Sequence, residues 1–332
     1  MKRVLAGFLL CLFLLALAQT AWARAAYEQG ALFPVRQNGK WGYINARGDL
    51  IINPQYDDAW EFSEGMAYVR AGTKRGLIDR SGRMVIDLQQ VDFAGNFSEG
   101  LAIVQTSGMN PRKGFIDRQG RLVIAPQFEA AESFREGLAA VLLNGKYGFV
   151  DKTGKMVISP QFDRAFGFHE GLALVVVNNK HGFIDRHGRT VIQPVYYNAF
   201  HFSDGLANVK IGNSYGYINK AGKVVIEPTF YFAGTFAEGL APIIQNNKFG
   251  YINKLGKIVI PAQFDWTERF SEELAVVKVS GKYGFIDHAG ALVIRSQFDY
   301  ARDFSGGVAR VTVAGKIGYI DRSGNFIWKP TK

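Results

Sequence analysis

Self-similarity at a fixed period sets the architecture of this chain before any local propensity does. The motif x-Gly-aromatic-Ile-Asp/Asn, with close variants, places its glycine at Gly42, Gly76, Gly114, Gly148, Gly182, Gly216, Gly250, Gly284 and Gly318. Successive glycines are 34 residues apart, except for one step of 38 between Gly76 and Gly114. One extra residue between Ile86 and Phe97 and three more in the Thr106–Arg112 loop account for that step. Nine units are therefore expected to fill residues 31–330 as a single repetitive β domain.

Within the unit around Gly148, Gly137–Leu142 reads as a first strand and Tyr147–Asp151 as a second, with Asn144-Gly145 between them. Asn-Gly between apolar runs is a strong hairpin signal, because both residues tolerate positive φ. Six residues after each motif glycine stands another glycine (Gly154 here), preceded by Asp or Asn at three residues' distance. The acidic or amide side chain can bond the turn's N–H groups while Gly closes it, which delivers the chain into a third strand at Met156–Ile158. Each unit is then a three-stranded antiparallel meander. The linker that follows carries Phe162, Ala165 and Phe168, spaced as one helical turn or tight loop would place them on one side. These residues are expected to pack neighbouring units together.

A lone meander of this size is barely stable, so each unit needs a neighbour. Propeller blades use four strands and roughly 40–50 residues, typically four to eight to a ring. Nine three-stranded units of 34 residues fit that poorly. The expectation is an all-β tandem array, open and curved like a solenoid, with a closed propeller-like ring as the alternative.

At the N-terminus, Lys2 and Arg3 precede an apolar run, Val4–Ala18, and then Ala21-Trp22-Ala23. These are the three parts of a secretory signal peptide, expected over residues 1–23 and followed by a short segment, 24–30. The only cysteine, Cys11, lies in the run that would be removed, so the exported chain would have no disulfide and no thiolate site. With 48% hydrophobic and 20% charged residues the chain is not disordered. Losing Lys2 and Arg3 takes the formal net charge from +10 to +8. In an exported protein that basic bias points away from nucleic acid and toward envelope polymer, lipid head groups or acidic protein. The expected location is periplasmic or secreted, with no transmembrane segment after cleavage.

Lys40-Trp41-Gly42-Tyr43-Ile44-Asn45, with Phe62-Ser63-Glu64-Gly65-Met66-Ala67 downstream, resembles the bacterial WG repeat. The resemblance spans essentially the whole exported chain. It implies a β-rich repeat module with no general enzymatic activity. Only the first unit keeps Trp before the motif glycine.

The chemistry-bearing columns point the same way. None of the five histidines forms a metal-binding pair of the H-x-x-x-H type. The second-turn column (Asp79, Asp117, Asp151, Asp185, Asp287 and Asp321, with Asn45, Asn219 and Asn253) offers one carboxylate per turn, which suits turn capping better than calcium. Neither metal nor cofactor is expected. Glu64, Glu99, Glu136, Glu170, Asp204, Glu238 and Glu272 form an acidic column that could serve an envelope glycan hydrolase, but they are copies of one position. The residue before the motif glycine varies most tellingly: Trp41, Arg75, Lys113, Tyr147, His181, Tyr215, Phe249, Tyr283, Ile317. Its aromatic and cationic members would form a ladder able to stack on sugar rings or grip an extended peptide. The functional expectation is a non-catalytic exported binding or scaffold protein for cell-envelope polysaccharide or a protein segment.

Overall fold

The computed structural model describes residues 30–88 and 93–331. The expected signal peptide and residues 24–29 fall outside the described residues. Among those described there are nine small antiparallel sheets and no helix long and apolar enough to cross a membrane.

The fourth sheet shows how the sequence builds each one. Leu138–Leu143, Lys146–Asp151 and Met156–Phe162 pair in chain order, as the periodicity predicts. Asn144 (φ 52°) and Gly145 (φ 75°) make the first turn. In the second, Asp151 Oδ1 accepts from the N–H groups of Thr153 (2.9 Å) and Lys155 (3.1 Å), which is the capping role read from the sequence. The motif glycine, Gly148, sits where the register of the second and third strands shifts. A Cβ there would stand 2.5 Å from the Ile158 carbonyl oxygen, so no larger residue fits.

Two expectations need correction. The linker carries a short strand rather than a helical turn or tight loop: Ala130–Ala131 pairs with Leu138–Leu143, and among the described residues eight of the nine sheets are four-stranded through such a strand. The array is also closed rather than open. Val35, Ile44 and Ala46 of the first sheet share a buried cluster with Val308 and Tyr319 of the ninth. The Tyr319 hydroxyl donates to the Pro34 carbonyl at 2.7 Å, and Arg302 pairs with Glu61 at 3.0 Å. The chain is a nine-bladed, propeller-like ring. Closure follows from burial: in an open arc, the end sheets would leave those apolar faces in water.

The core is distributed over the nine junctions. Leu138 and Ala140 pack toward the fifth sheet, with Ala165, Phe168 and Val175, whereas Ala139 and Val141 pack toward the third, with Phe115 and Ile124. The first long strand is apolar on both faces because a neighbour covers each of them. Phe168, essentially fully buried, lies edge-on to Phe149 of the preceding sheet with ring centroids 5.1 Å apart. Burying one such ring is worth roughly 1.5–3 kcal/mol.

The second-turn glycines are held by the same junctions. Gly154 has φ 87°, and a Cβ on it would lie 3.2 Å from Cγ2 of Ile124 in the preceding sheet. Gly145, also at positive φ, faces open space. Gly154→Ala is therefore expected to destabilise the ring more than Gly145→Ala, by about 1–2 kcal/mol beyond the shared backbone strain. Parallel denaturant titrations of the two variants measure the difference.

Candidate functional site

Each chain reversal lies on one of two faces of the ring. The first turns, with the ladder residues beside them, lie on one face. The corners that open each first long strand lie with the second turns on the other.

On the corner face, the acidic column has a structural task. Arg135 and Leu138 exchange backbone hydrogen bonds (2.9 and 3.1 Å) around Glu136 (φ 51°) and Gly137 (φ 81°), a tight turn in which Glu occupies a left-handed conformation. Its carboxylate reaches the next sheet and accepts from the Gly171 N–H at 3.0 Å. Glu64 does the same with the N–H groups of Glu99 (2.6 Å) and Gly100 (2.9 Å), and meets Arg118 at 2.7 Å. Glu99 bonds Gly137 and Lys152, Glu170 bonds Gly205 and Lys220, Asp204 bonds Gly239, Glu238 bonds the Glu273 N–H, and Glu272 bonds Gly306 and Gly307. Burial works to raise the Glu64 carboxyl, but Arg118 and the two N–H donors outweigh it and hold the group below the usual carboxylate range. A general acid needs the opposite shift.

On the opposite face, Trp41, Arg75, Lys113, Tyr147, His181, Tyr215, Phe249 and Tyr283 take equivalent half-buried places in the nine-fold ring, as does Ile317. They do not stack on one another directly. Several face an aromatic residue of the third strand: Trp41 is opposite Tyr56, Tyr147 opposite Phe162, Phe249 opposite Phe264. Between successive ladder residues comes a side chain from the next sheet's short strand. In one arc that side chain is aromatic. Phe232 lies between Tyr215 (6.4 Å between centroids) and Phe249 (6.0 Å), while Tyr283 has Trp266 at 5.8 Å on one side and Tyr300 at 5.5 Å on the other. Elsewhere the interleaved position holds Asp58, Phe93, Ala130, Arg164 or Asn198. Phe232, Trp266 and Tyr300 were missed in the sequence because the linker was read as core packing. The column's switch to aromatic in the last three units is nevertheless visible once the repeats are aligned.

Further positive charge reaches the ladder from neighbouring strands. Arg75 donates to the Leu88 carbonyl at 3.3 Å. The cations over the rings come from the first strand: Lys210 lies 5.8 Å from the centroid of Tyr215, Lys278 5.1 Å from Tyr283, and Arg36 5.9 Å from Trp41. Beside the arc, Tyr231 is 81% exposed and Tyr197 65%, where other units carry Asp or Glu.

The linkers converge on the axis of the ring, where non-adjacent sheets come within electrostatic reach. His169 and His201 stack at 4.0 Å. Burial, the neighbouring His201 and Arg135 push His169 down to about 4, so it is neutral at pH 7. At the first–ninth junction a cavity of about 870 Å³ opens, bounded by Phe33, Glu61, Arg118, Glu268, Asp303 and Tyr319 among others. Asp303 shares a hydrogen bond with Glu268, and its Oδ1 is buried without a partner.

Comparison with known proteins adds the family and the fold. One family model, described as WG containing repeat, matches residues 41–74, 76–109, 114–147, 147–180, 182–215, 215–249, 249–283 and 283–316. No curated protein matches the chain. Among solved structures, the crystal structure of a eukaryotic initiation factor is 13% identical, with 90% of this chain and 95% of that one covered at a TM-score of 0.66. The dihydro-heme d1 dehydrogenase NirN in complex with DHE is 15% identical, with 80% and 73% covered at 0.48. Hsv2p of Kluyveromyces lactis is 12% identical, with 58% and 74% covered at 0.40. At such identities the first likeness speaks to fold alone.

Burial, reinforced by the like charge of Glu268, raises the Asp303 carboxyl well above the ordinary range. An acid whose folded pKa is raised loses stability as pH climbs from the unfolded value toward the folded one, because only the unfolded chain releases its proton readily there. Asp303→Asn removes that penalty. Its melting temperature, relative to the unaltered protein, is expected to rise between about pH 4 and pH 7 and then level off. Thermal melts across that range check it.

Proposed function

The chain belongs to the WG-containing repeat family, and from that premise we propose that it is an exported, non-catalytic binding or scaffold protein that holds an extended partner across the hairpin face of its ring. The partner is a cell-envelope polysaccharide or a protein segment. The reading rests on the aromatic arc, in which Tyr215, Phe232 and Phe249 meet ring to ring in one run and Trp266, Tyr283 and Tyr300 in the next. Sugar rings and extended peptides present repeating apolar faces at intervals, and rigid aromatics supply contact area at low entropic cost. Lys210 and Lys278 add cations at the same arc, which suits a partner with anionic groups.

The envelope glycan hydrolase alternative draws on Glu64, Glu99, Glu136, Glu170, Glu238 and Glu272. Their engagement in the sheet-to-sheet joints supports the non-catalytic reading, since the cations and backbone N–H groups there hold Glu64 and Glu99 below the usual carboxylate range, the opposite of what proton donation to a glycosidic oxygen needs. Glycan hydrolysis abolished by a single change in that column would establish the alternative instead.

Exposed aromatics in and beside the arc are the ones to remove. Tyr231→Ala and Tyr300→Ala are expected each to lower retention on envelope polysaccharide or protein by about tenfold, or about 1.4 kcal/mol. Tyr147→Ala, outside the arc, is expected to do less, and all three are expected to melt close to the unaltered protein. Co-sedimentation with purified envelope fractions reads the binding; equal retention by all variants would remove the arc from the interface.

A further inference from the structure

The fourth, fifth and sixth sheets depart from the repeat where their linkers line the axis. The inner strand of the fifth sheet runs over six residues, Arg164–His169, with a bulge between Ala165 and Phe168. Its counterparts are two residues long, as Ala130–Ala131 and Asn198–Ala199 are. The residue that opens each corner turn changes over the same stretch. Elsewhere that position holds Ser63, Ser98, Ser203, Ser271, Ser305 or Ala237. The hydroxyls of Ser63, Ser98 and Ser271 donate to the Phe97, Phe134 and Phe304 carbonyls of the next sheet at 2.6, 2.7 and 2.9 Å. The fourth and fifth sheets carry Arg135 and His169 there instead, and so do without that fastener.

The replacements meet one another. A Cβ on Gly167 would stand 2.8 Å from Cδ of Arg135, so this side chain takes up room that a glycine leaves. The equivalent position carries a side chain in the other described linkers, Asn96, Ser133 and Thr235 among them. His169 stacks on His201 of the sixth sheet at 4.0 Å, with the ring planes 19° apart. Arg269, on the linker of the eighth sheet, comes within electrostatic reach of both imidazoles. Burial, then His201 and Arg135, push His169 toward its neutral form; burial, Arg269 and Arg135 do the same to His201. Glu170 is the carboxylate that opposes them, and it already accepts from the Gly205 N–H at 3.1 Å and meets Lys220 at 3.1 Å. Among the described residues, the guanidinium groups of Arg135 and Arg269 make no hydrogen bond or ion pair.

We propose that Arg135, His169, His201 and Arg269 form a site at the axis for a tetrahedral oxyanion, sulfate or phosphate, free or as an ester on a larger molecule. Four groups able to carry positive charge are gathered there, and the carboxylate beside them is engaged at a corner joint. A bound dianion relieves their mutual repulsion, and the planar forks of two guanidinium groups suit its oxygen edges. Each neutral imidazole offers one N–H and each imidazolium two. An anion between them favours the imidazolium form, so binding takes up protons and affinity rises as pH falls. Phe166 and Phe200, exposed on the linkers that carry the two histidines, add apolar surface for the body of an ester. The site is separate from the aromatic arc on the hairpin face and independent of the partner proposed for it.

Calorimetric titration of the full chain with sodium sulfate, at an ionic strength held with sodium chloride, tests the site. Sulfate keeps its charge between about pH 5.5 and pH 7.5, so any pH dependence belongs to the protein. Binding should be about tenfold tighter at the lower pH. Arg135→Gln and Arg269→Gln, both at exposed positions, should each weaken it about tenfold at either pH. His201→Gln should flatten the pH dependence. Arg269 also acts on the raised Asp303 carboxyl, so Asp303→Asn serves as the control and should keep the pH dependence. No saturable binding, or equal affinity in both arginine variants, overturns the proposal. So does a pH dependence that survives His201→Gln and disappears in Asp303→Asn. Inorganic phosphate and glucose 6-phosphate, titrated side by side, separate the sources: tighter binding of the ester assigns the site to a phosphorylated molecule, and equal binding assigns it to the free ion.

Discussion

The first long strand of every sheet carries buried side chains on both faces, and nothing inside its own sheet can cover them. Leu138 and Ala140 depend on the fifth sheet, Ala139 and Val141 on the third. The stability of any one unit is thus a property of two junctions, as expected of repeat arrays whose terms are nearest-neighbour. A ring removes the two end faces that a linear array would have to cap with polar residues. Apolar burial at the first–ninth junction, through Val35, Ile44 and Val308, is what turns the array into a closed body.

Because the junctions carry the stability, polar groups are recruited to them as well. The corner glutamates sit in left-handed conformations that Asn or Gly would adopt more readily, at φ 49–54° for Glu64, Glu99, Glu136 and Glu170. What the longer side chain gains is reach: its carboxylate satisfies backbone N–H groups of the next corner. Neighbouring contacts repeat the principle. The Ser63 hydroxyl donates to the Phe97 carbonyl at 2.6 Å, and Lys40 meets Asp57 while Asp57 accepts from the Gly72 N–H at 2.6 Å. An acidic column that could be mistaken for a row of catalytic groups is a row of fasteners.

Where all nine units agree, the residues serve the ring; where they differ, they are free to serve something else. The interleaved column runs from Asp58 through Phe93, Ala130, Arg164 and Asn198 to Phe232, Trp266 and Tyr300, so only its last three members form an unbroken aromatic run. The axis is likewise individual, with stacked His169 and His201 at one place and the Asp303–Glu268 pair at another. Departure from the repeat is the physical basis for locating function on a symmetrical scaffold.

The sequence by itself determined the unit. Strand positions, the Asn-Gly and Asp-x-x-Gly turns and the obligate motif glycines follow from local φ/ψ demands and alternation, which act over a few residues. The ladder from Trp41 to Tyr283 was legible for the same reason, as one column in a fixed register. Only the tertiary structure decided that Ala130–Ala131 becomes a fourth strand, that Phe232, Trp266 and Tyr300 slip between ladder residues, and that Tyr319 meets Pro34 across the closing junction. A period fixes which units are neighbours, but the rotation from one to the next comes from how whole sheets pack. That angle, accumulated over nine junctions, is what separates a ring from an arc.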